Sequence, residues 1–261
     1  MILERIAAST KIRIERQKAE ISFEEMKNKA LSLECNTGFP FEKALKKQDI
    51  SFICEVKKAS PSKGVIAEDF PYIDIAKDYE KAGADAVSVL TEPEFFLGSD
   101  NYLSEIKKGI SIPVLRKDFT LDAYQIYEAK VIGADAVLLI CSLLDTKTIR
   151  EFISICDELG LSALVEAHDE AEIDSALKAG ARIIGVNNRN LRNFDVDINN
   201  SILLRKCVPQ NVLFVAESGI QTAEDVETLR KANVNAVLIG ETLMCCSDKE
   251  KKLKELRGCS V

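Results

Sequence analysis

The chain has 261 residues, of which 46% are hydrophobic and 30% charged, which predicts one large globular domain. Its formal net charge of −7 argues against a general nucleic-acid-binding surface, although a local cluster of lysines could still bind a small anion. No run of about 18 apolar residues occurs, and the N-terminus has no uninterrupted apolar segment, so we expect a cytoplasmic protein without a signal peptide or membrane association.

Residues 1–48 predict a helical extension in front of the main domain. Residues 2–19 have the periodicity of one amphipathic helix, and residues 22–25 (Ser-Phe-Glu-Glu) have the spacing of a capping box that starts a second helix. This second helix is expected to run to about Leu33. Periodicity leaves open whether the extension covers an active site or serves as a solubilising or oligomer-forming arm.

Residues 49–261 predict an α/β fold, a (β/α)8 TIM barrel, because charged segments with helical periodicity alternate with runs of Val, Ile and Leu. Such continuous apolar runs are typical of parallel strands that are covered on both faces. Sequences such as "AGADAVSVL" (82–90) and "ANVNAVLIG" (232–240) join helix ends to strands, with Gly or Asn where the helix stops. The eight predicted strands are residues 51–57, 86–91, 112–117, 136–141, 162–167, 182–187, 212–217 and 236–240.

Eight cysteines are scattered along the chain without a C-x-x-C pair, and His168 is the single histidine, so the ligand spacing of a zinc site is missing. We interpret them as free and mostly buried thiols. Cys54 and Cys141 lie inside apolar runs, where core packing is favoured over a nucleophilic role because an activated thiolate needs a basic neighbour.

Polar side chains occur at the ends of five predicted strands, where the active site of a (β/α)8 barrel lies. They are Glu55 and Lys57 on the first strand, Lys117 on the third, Glu166 on the fifth, Asn187 on the sixth, and Glu217 on the seventh. A structural ion-pair network at the rim is one interpretation of any single one of them. Together they indicate acid–base chemistry, because charges gathered in a barrel mouth are difficult to desolvate and shift one another's pKa values.

Two further features concern the same end of the barrel. Gly219 and Gly240 follow the seventh and eighth strands, where barrels often bind phosphate through backbone N–H groups, and their joint occurrence predicts a phosphate site. His168 follows Glu166 by two residues but lies past the strand end. We therefore favour a surface or loop histidine there over a catalytic one, although its ordinary pKa would suit catalysis.

The motifs "EVKKASPSKG", "PVLRKDF", "LVEAHDE", "GVNNRNL", "AESGI" and "LIGETLM", in this order, resemble the indole-3-glycerol-phosphate synthase family of tryptophan biosynthesis. The resemblance covers the whole chain, including the N-terminal helices, which in the family fold over the top of the barrel. It implies a lyase that converts 1-(2-carboxyphenylamino)-1-deoxyribulose 5-phosphate to indole-3-glycerol phosphate with loss of carbon dioxide and water. No cofactor and no metal is implied.

The resemblance also implies roles for individual residues. Lys117 would be the general acid that protonates the ketone oxygen during ring closure. Lys57 would contact the anthranilate carboxylate and donate a proton in dehydration, while Glu166 and Glu55 would handle the remaining protons, in a division that stays open. The supporting residues would be Asn187 and Arg189 around the substrate and Lys117, and Glu217 at the floor of the site.

The substrate-binding residues implied by the resemblance form two groups. The phosphate would be bound by Ser60, Ser218, Gly219, Gly240 and Glu241, and the aromatic ring would be walled by Phe96, Phe119 and Leu191. The acidic side chain of Glu241 is expected to point away from the phosphate, so that its backbone N–H contributes the binding.

Other interpretations belong to different classes of protein. A phosphoribosylanthranilate isomerase-like barrel enzyme and a Schiff-base aldolase that uses Lys57 or Lys117 are rival enzymes, and a catalytically silent phosphate-binding barrel is a rival without chemistry. The expected partner is a small phosphorylated substrate, and the expected assembly is a monomer or a weak homodimer.

Overall fold

The computed structural model describes residues 2–189 and 195–258 and has a closed barrel of eight parallel strands, which confirms the predicted fold class. A short antiparallel hairpin follows the first barrel strand. In chain order the strands are β1 (Ser51–Val56), β2 (Ala59–Ser60), β3 (Gly64–Val65), β4 (Ala86–Leu90), β5 (Val114–Lys117), β6 (Ala136–Ile140), β7 (Ser162–Ala167), β8 (Ile183–Asn187), β9 (Leu213–Glu217) and β10 (Ala236–Ile239). The barrel closes through β1, which pairs with β4 on one side and with β10 on the other.

Helices surround the barrel and precede it. They are α1 (Ile2–Glu20), α2 (Phe23–Leu31), α3 (Pro40–Leu45), α4 (Tyr72–Lys81), α5 (Asp100–Gly109), α6 (Ala123–Val131), α7 (Thr146–Glu158), α8 (Glu170–Ala179), α9 (Asn199–Leu204), α10 (Ala223–Lys231), α11 (Glu241–Met244) and α12 (Lys249–Leu256). Within residues 2–189 and 195–258, none of these helices is long and apolar enough to cross a membrane.

The barrel strands lie close to their predicted positions, and one difference has a local cause. β5 begins at Val114, two residues later than expected, because Ile112 donates its backbone N–H to Glu80 and Pro113 has no N–H to donate. The predicted helix-to-strand junctions also occur: Gly83 follows α4 with a φ of 89°, and Asn233 follows α10 with a φ of 59°.

The helices before the barrel differ in part from expectation. The side chain of Ser22 accepts a hydrogen bond from the Glu25 backbone N–H at 3.3 Å, as a helix N-cap does, but α2 ends at Leu31, two residues before the predicted end. α3 was not predicted, because six residues are too few to show helical periodicity.

α3 closes the amino-terminal end of the barrel. Phe41 and Leu45 are fully buried and pack with Ile53 and Leu115 from the inner face of the strands. Apolar side chains therefore fill the lower part of the barrel, and polar side chains gather at the opposite, carboxyl end. A second apolar cluster lies between the strands and the outer helices.

Candidate active site

A cavity of about 820 Å³ lies at the carboxyl end of the barrel, and all the predicted site residues that the structure describes line it. They are Glu55, Lys57, Ser60, Phe96, Lys117, Phe119, Glu166, Asn187, Arg189, Glu217, Ser218, Gly219, Gly240 and Glu241. The predicted Leu191 lies outside the described residues. Ile2, Leu3 and Ile6 of α1 also line the cavity, so the N-terminal helix contributes an apolar side to its wall.

The centre of the cavity is an ion cluster built around Lys117. Its Nζ atom lies 2.7 Å from Oε2 of Glu217 and 3.2 Å from Oε2 of Glu166. The three residues are the last or next-to-last residues of β5, β9 and β7, so the carboxyl ends of three strands bring them to one level. Both carboxylates are buried, which makes each interaction stronger than it would be in water.

Burial and the neighbouring charges move the pKa values of this cluster in different directions. Burial disfavours the Lys117 ammonium, but the charges of Glu217, Glu166 and Glu55 outweigh that effect and raise the pKa of Lys117 above its ordinary value. Burial raises the pKa of Glu217 to about 7 despite the nearby ammonium. Burial also acts on Glu166, but Lys117 and His168 lower its pKa below the ordinary value. At neutral pH the site therefore contains a protonated lysine, an ionised Glu166 and a glutamate poised to titrate.

A second ion pair comes from the first barrel strand and the residue after it. Nζ of Lys57 lies 2.5 Å from Oε1 of Glu55, and the two side chains share one face, as the period of a strand predicts. A Cβ atom on Gly240 would collide with the Glu55 carboxylate and would come within 2.8 Å of Lys57 Nζ. Gly240 thus leaves the space that this pair occupies, a role that sequence reasoning did not assign to it.

Asn187 links the ion cluster to the loop after β8. Its Nδ2 atom donates to Oε1 of Glu166 at 3.4 Å, and its Oδ1 atom accepts from the backbone N–H of Arg189 at 3.0 Å. This amide therefore ties one face of Glu166 to the start of the loop.

Aromatic rings form one wall of the cavity. The rings of Phe96 and Phe119 lie 6.0 Å apart with an interplanar angle of 38°. The loop that carries Phe96 is held by the buried carboxylate of Glu92, which accepts from the backbone N–H groups of residues 94, 95 and 96 at 3.0, 2.7 and 3.0 Å. Sequence reasoning missed Glu92, because it lies in a loop, where no periodicity predicts the direction of its side chain.

The predicted phosphate-binding residues gather at one side of the mouth. Ser218 and Gly219 have φ angles of 67° and 82°, so the chain turns sharply after β9. The Thr242 hydroxyl donates to the Ile220 carbonyl at 2.8 Å and connects this turn to α11. The turn and the start of α11 thus lie side by side, with Ser60 of β2 also lining the cavity.

The side chain of Glu241 lies between two cationic groups at this side of the mouth. Its carboxylate is 3.1 Å from Nζ of Lys63 and 3.7 Å from an Nη atom of Arg189. Lys63 was not predicted as a site residue, because it lies in a turn with no strand periodicity to give its direction.

Sequence reasoning also missed the charged network behind Lys117. Asp118 is buried and accepts from Arg13 of α1 and from the Thr91 hydroxyl, each at 2.7 Å. This contact fixes the N-terminal helix to the residue that follows Lys117 in the chain. The signal that could have found it is the run "RKD" at the end of a buried strand, where each charge needs a partner.

The cysteines agree with expectation in one respect and differ in another. The seven described cysteines are free thiols, and burial raises the pKa of Cys54 well above its ordinary value, which suits core packing and not nucleophilic attack. The expectation that they are mostly buried was wrong: Cys54 and Cys156 are buried, whereas Cys207 and Cys245 are exposed. Cys207 is the last residue of a short 3-10 helix, and Cys245 directly follows α11 and lines the cavity.

Gly185 on β8 leaves space for the Glu217 side chain, and we expect Gly185→Ala to disturb the ion cluster. A Cβ atom there would collide with Glu217 Oε1 and would lie 3.2 Å from Leu164 Cδ1. Overpacking of this kind lowers the free energy of unfolding by about 1–3 kcal/mol, and displacement of Glu217 should lower kcat as well. Urea unfolding and steady-state kinetics measure both effects.

Gly109→Ala is the matched control, because a Cβ atom at that position would meet its nearest neighbour at an ordinary 3.4 Å. Equal unfolding free energies and kcat values for the two alanine variants would contradict the role of Gly185.

Comparison with known proteins is consistent with this geometry. A family model described as indole-3-glycerol phosphate synthase matches residues 3–256. The chain is similar to the indole-3-glycerol phosphate synthase of Ruminiclostridium cellulolyticum, with 65% identity over 99% of both chains. It is 57% identical to that of Endomicrobium trichonymphae over 98% of this chain and 100% of the relative.

Similarity to a more distant solved structure supports the fold alone. The 3-hexulose-6-phosphate synthase of Salmonella typhimurium matches with a TM-score of 0.66 and 16% identity, over 80% of this chain and 97% of that one. The sequence matches extend along almost the whole chain, and they confirm the predicted family and enzyme class. The chain belongs to the indole-3-glycerol phosphate synthase family, whose members are carboxy-lyases of tryptophan biosynthesis.

Proposed function

We propose that the barrel mouth converts 1-(2-carboxyphenylamino)-1-deoxyribulose 5-phosphate to indole-3-glycerol phosphate, carbon dioxide and water. The observation that carries this proposal is the Lys117 ammonium, held between two buried carboxylates in the same cavity as a pair of aromatic rings. Ring closure needs a proton donor at the ketone oxygen and an apolar wall beside the anthranilate ring, and this cavity contains both.

Lys117 is the general acid in this proposal. As the ring carbon that bears the carboxylate attacks the ketone carbon, negative charge develops on the ketone oxygen, and the ammonium donates its proton there. The raised pKa of Lys117 keeps the amine protonated in the free site, so that a proton is available when negative charge develops on the ketone oxygen. Glu217, 2.7 Å away, fixes the amine at the floor of the site.

The later steps release carbon dioxide and then water. Carbon dioxide leaves from the newly bonded ring carbon, and the former ketone oxygen leaves as water after a second protonation. We assign that protonation to Lys57, which also contacts the anthranilate carboxylate, with Glu55 orienting Lys57 at 2.5 Å. We assign to Glu166 the removal of the proton from the former methylene carbon next to nitrogen, which forms the indole double bond as water leaves. Asn187 and Arg189 support Glu166 and the substrate.

The substrate phosphate is bound at the side of the mouth that carries Ser60, Ser218, Gly219, Gly240 and Glu241. Backbone N–H groups of the turns after β9 and β10 are suitable donors to an anion. The Lys63 ammonium, 3.1 Å from the Glu241 carboxylate, adds positive charge close to this position.

Residues 1–48 serve as an extension that caps the mouth of a barrel formed by residues 49–261, supported by the apolar side chains of α1 that line the cavity. A cytoplasmic location fits an enzyme of amino-acid biosynthesis. A monomer or weak homodimer stays a prediction.

Release of labelled carbon dioxide tests the proposed function. The purified chain is mixed with substrate that carries ¹³C in its carboxylate, and dissolved carbon dioxide and the indole product are followed together by NMR. Equal amounts of both are expected. Binding of the substrate without release of either would identify the silent phosphate-binding barrel instead.

Borohydride separates this proposal from a Schiff-base aldolase. Because the Lys117 amine is held protonated, it is a poor nucleophile, and we expect no covalent lysine adduct after reduction in the presence of substrate. Intact-protein mass spectrometry checks this, with a known Schiff-base aldolase as the positive control. An adduct on Lys57 or Lys117 would support the aldolase.

A further inference from the structure

His168 lies in the loop after β7, as the prediction of a surface or loop histidine allowed, and its ring is beside the ion cluster. Its Nε2 atom is 3.5 Å from Oε1 of Glu166, and its Nδ1 atom is 3.1 Å from Oε2 of Glu172 on α8. The same Glu172 oxygen accepts from the His168 backbone N–H at 2.8 Å. Glu172 therefore fixes both the backbone and the ring of His168.

The second ring nitrogen faces the active site. Nε2 is buried and has no hydrogen-bond partner within residues 2–189 and 195–258, and Glu166 Oε1 is its charged neighbour. The hydrogen bond between Nδ1 and Glu172 holds the ring so that Nε2 lies 3.5 Å from Oε1 of Glu166, an ion-pair distance without a hydrogen bond.

The protonation state follows from this arrangement. If both nitrogens carry hydrogen, the Nδ1–H donates to Glu172, the Nε2–H lies beside Glu166, and the ring is an imidazolium between two anions. If Nε2 carries a lone pair, that lone pair faces a carboxylate oxygen, and the two repel each other. The geometry therefore favours the charged ring.

The other charged groups around His168 agree with this conclusion. They are Glu166 on β7, Glu172 on α8 and Glu217 on β9, with Lys117 at the other oxygen of Glu166, and Cys141 and Asp169 near Glu172. Burial disfavours the imidazolium, but the hydrogen bond to Glu172 and the three glutamate charges raise the pKa of His168 above its ordinary value. Burial also keeps the Cys141 thiol neutral, with a pKa raised to about 12.

We propose that His168, oriented by Glu172, is a positioning residue that keeps Glu166 ionised and correctly placed to accept a proton from the substrate. This inference rests on the proposed function, in which Glu166 removes that proton. The Glu166 carboxylate then accepts hydrogen bonds from Lys117 Nζ at 3.2 Å and Asn187 Nδ2 at 3.4 Å, and the His168 ring lies beside it as an ion-pair partner, with Nε2 at 3.5 Å.

The pH dependence of the His168→Gln protein tests the proposal. Loss of the imidazolium raises the pKa of Glu166, so the acidic limb of kcat/KM should move to higher pH by about one unit, the size of effect that one nearby opposite charge produces. Activity should recover as the pH rises, because Glu166 then ionises without help from His168, whereas KM should stay within about twofold of the wild-type value.

Two more variants complete the test. Glu172→Gln should shift the same limb in the same direction, because it removes the carboxylate that favours the imidazolium, and it decides the question if His168→Gln does not fold. Glu170→Gln is the matched control: it removes the same charge from the same helix at an exposed position and should leave the limb unchanged.

The outcomes separate this inference from the proposed function. If the wild-type chain releases no carbon dioxide at any pH, the proposed function fails. If the wild-type chain is active and the folded His168→Gln protein follows the same pH profile, the role of His168 is overturned while the function stands. A lower activity that is uniform across the pH range would also overturn it, since a purely structural defect has that form.

Discussion

We expect the Lys117→Ala protein to turn over substrate about 10²–10⁴-fold more slowly than the wild-type chain while still binding indole-3-glycerol phosphate. The ammonium is the group placed to protonate the ketone oxygen, and removal of a proton donor raises the barrier to ring closure. The phosphate contacts lie at another side of the mouth, so anchoring of the product should change much less. Single-turnover kinetics and calorimetry with the product measure the two quantities.

Lys58→Ala is the matched control for this variant. It removes a lysine charge from the chain just after β1, but its side chain does not line the cavity, so kcat should stay close to the wild-type value. Equal losses of turnover and product binding in Lys117→Ala would contradict the assignment of Lys117 as a proton donor with little part in anchoring.

The Arg116→Met protein should lose about 3–5 kcal/mol in the free energy of unfolding. The Arg116 side chain is 2% exposed, and its Nη2 atom lies 2.7 Å from both Glu128 and Asp100. Nη1 also donates to the Gln125 carbonyl at 2.9 Å. Methionine fills a similar volume but leaves the Glu128 carboxylate buried without its cation, and that uncompensated charge is the source of the loss.

Urea unfolding followed by circular dichroism measures this effect. Arg150→Met is the control, because Arg150 is exposed and donates to a helix-end carbonyl, and its loss should change the free energy of unfolding by less than about 0.5 kcal/mol. If the two methionine variants unfold at the same urea concentration, Arg116 does not stabilise the fold in this way.

The barrel could be predicted from the sequence because its strands are continuous apolar runs, a pattern that local composition shows directly. The Lys117–Glu166–Glu217 cluster could be predicted for a related reason, since the alternation of side chains along a strand gives the direction of each residue. α3 could not be predicted, because its function in closing the barrel depends on Phe41 and Leu45 meeting side chains far away in the sequence.

Residues in loops were harder to place. Three of these residues, His168, Lys63 and Glu92, follow strand ends, where no periodicity fixes the direction of a side chain. Glu92 is bound by backbone N–H groups of its own loop, whereas His168 and Lys63 contact carboxylates at the starts of helices. His168 shows the consequence most clearly, because the residue that orients it, Glu172, is four positions along the chain and one helical turn into α8. The hydrogen bond to Glu172 then holds the ring beside Glu166.

The central claim is that this barrel mouth closes the indole ring with Lys117 as general acid. Indole fluorescence tests it most directly, because the chain contains no tryptophan that would mask the product signal. On mixing with 1-(2-carboxyphenylamino)-1-deoxyribulose 5-phosphate, we predict a rise in fluorescence for the wild-type and Lys58→Ala proteins and, over the same time, almost none for Lys117→Ala. An equal rise in all three proteins, or no rise in the wild type despite bound substrate, would contradict the account.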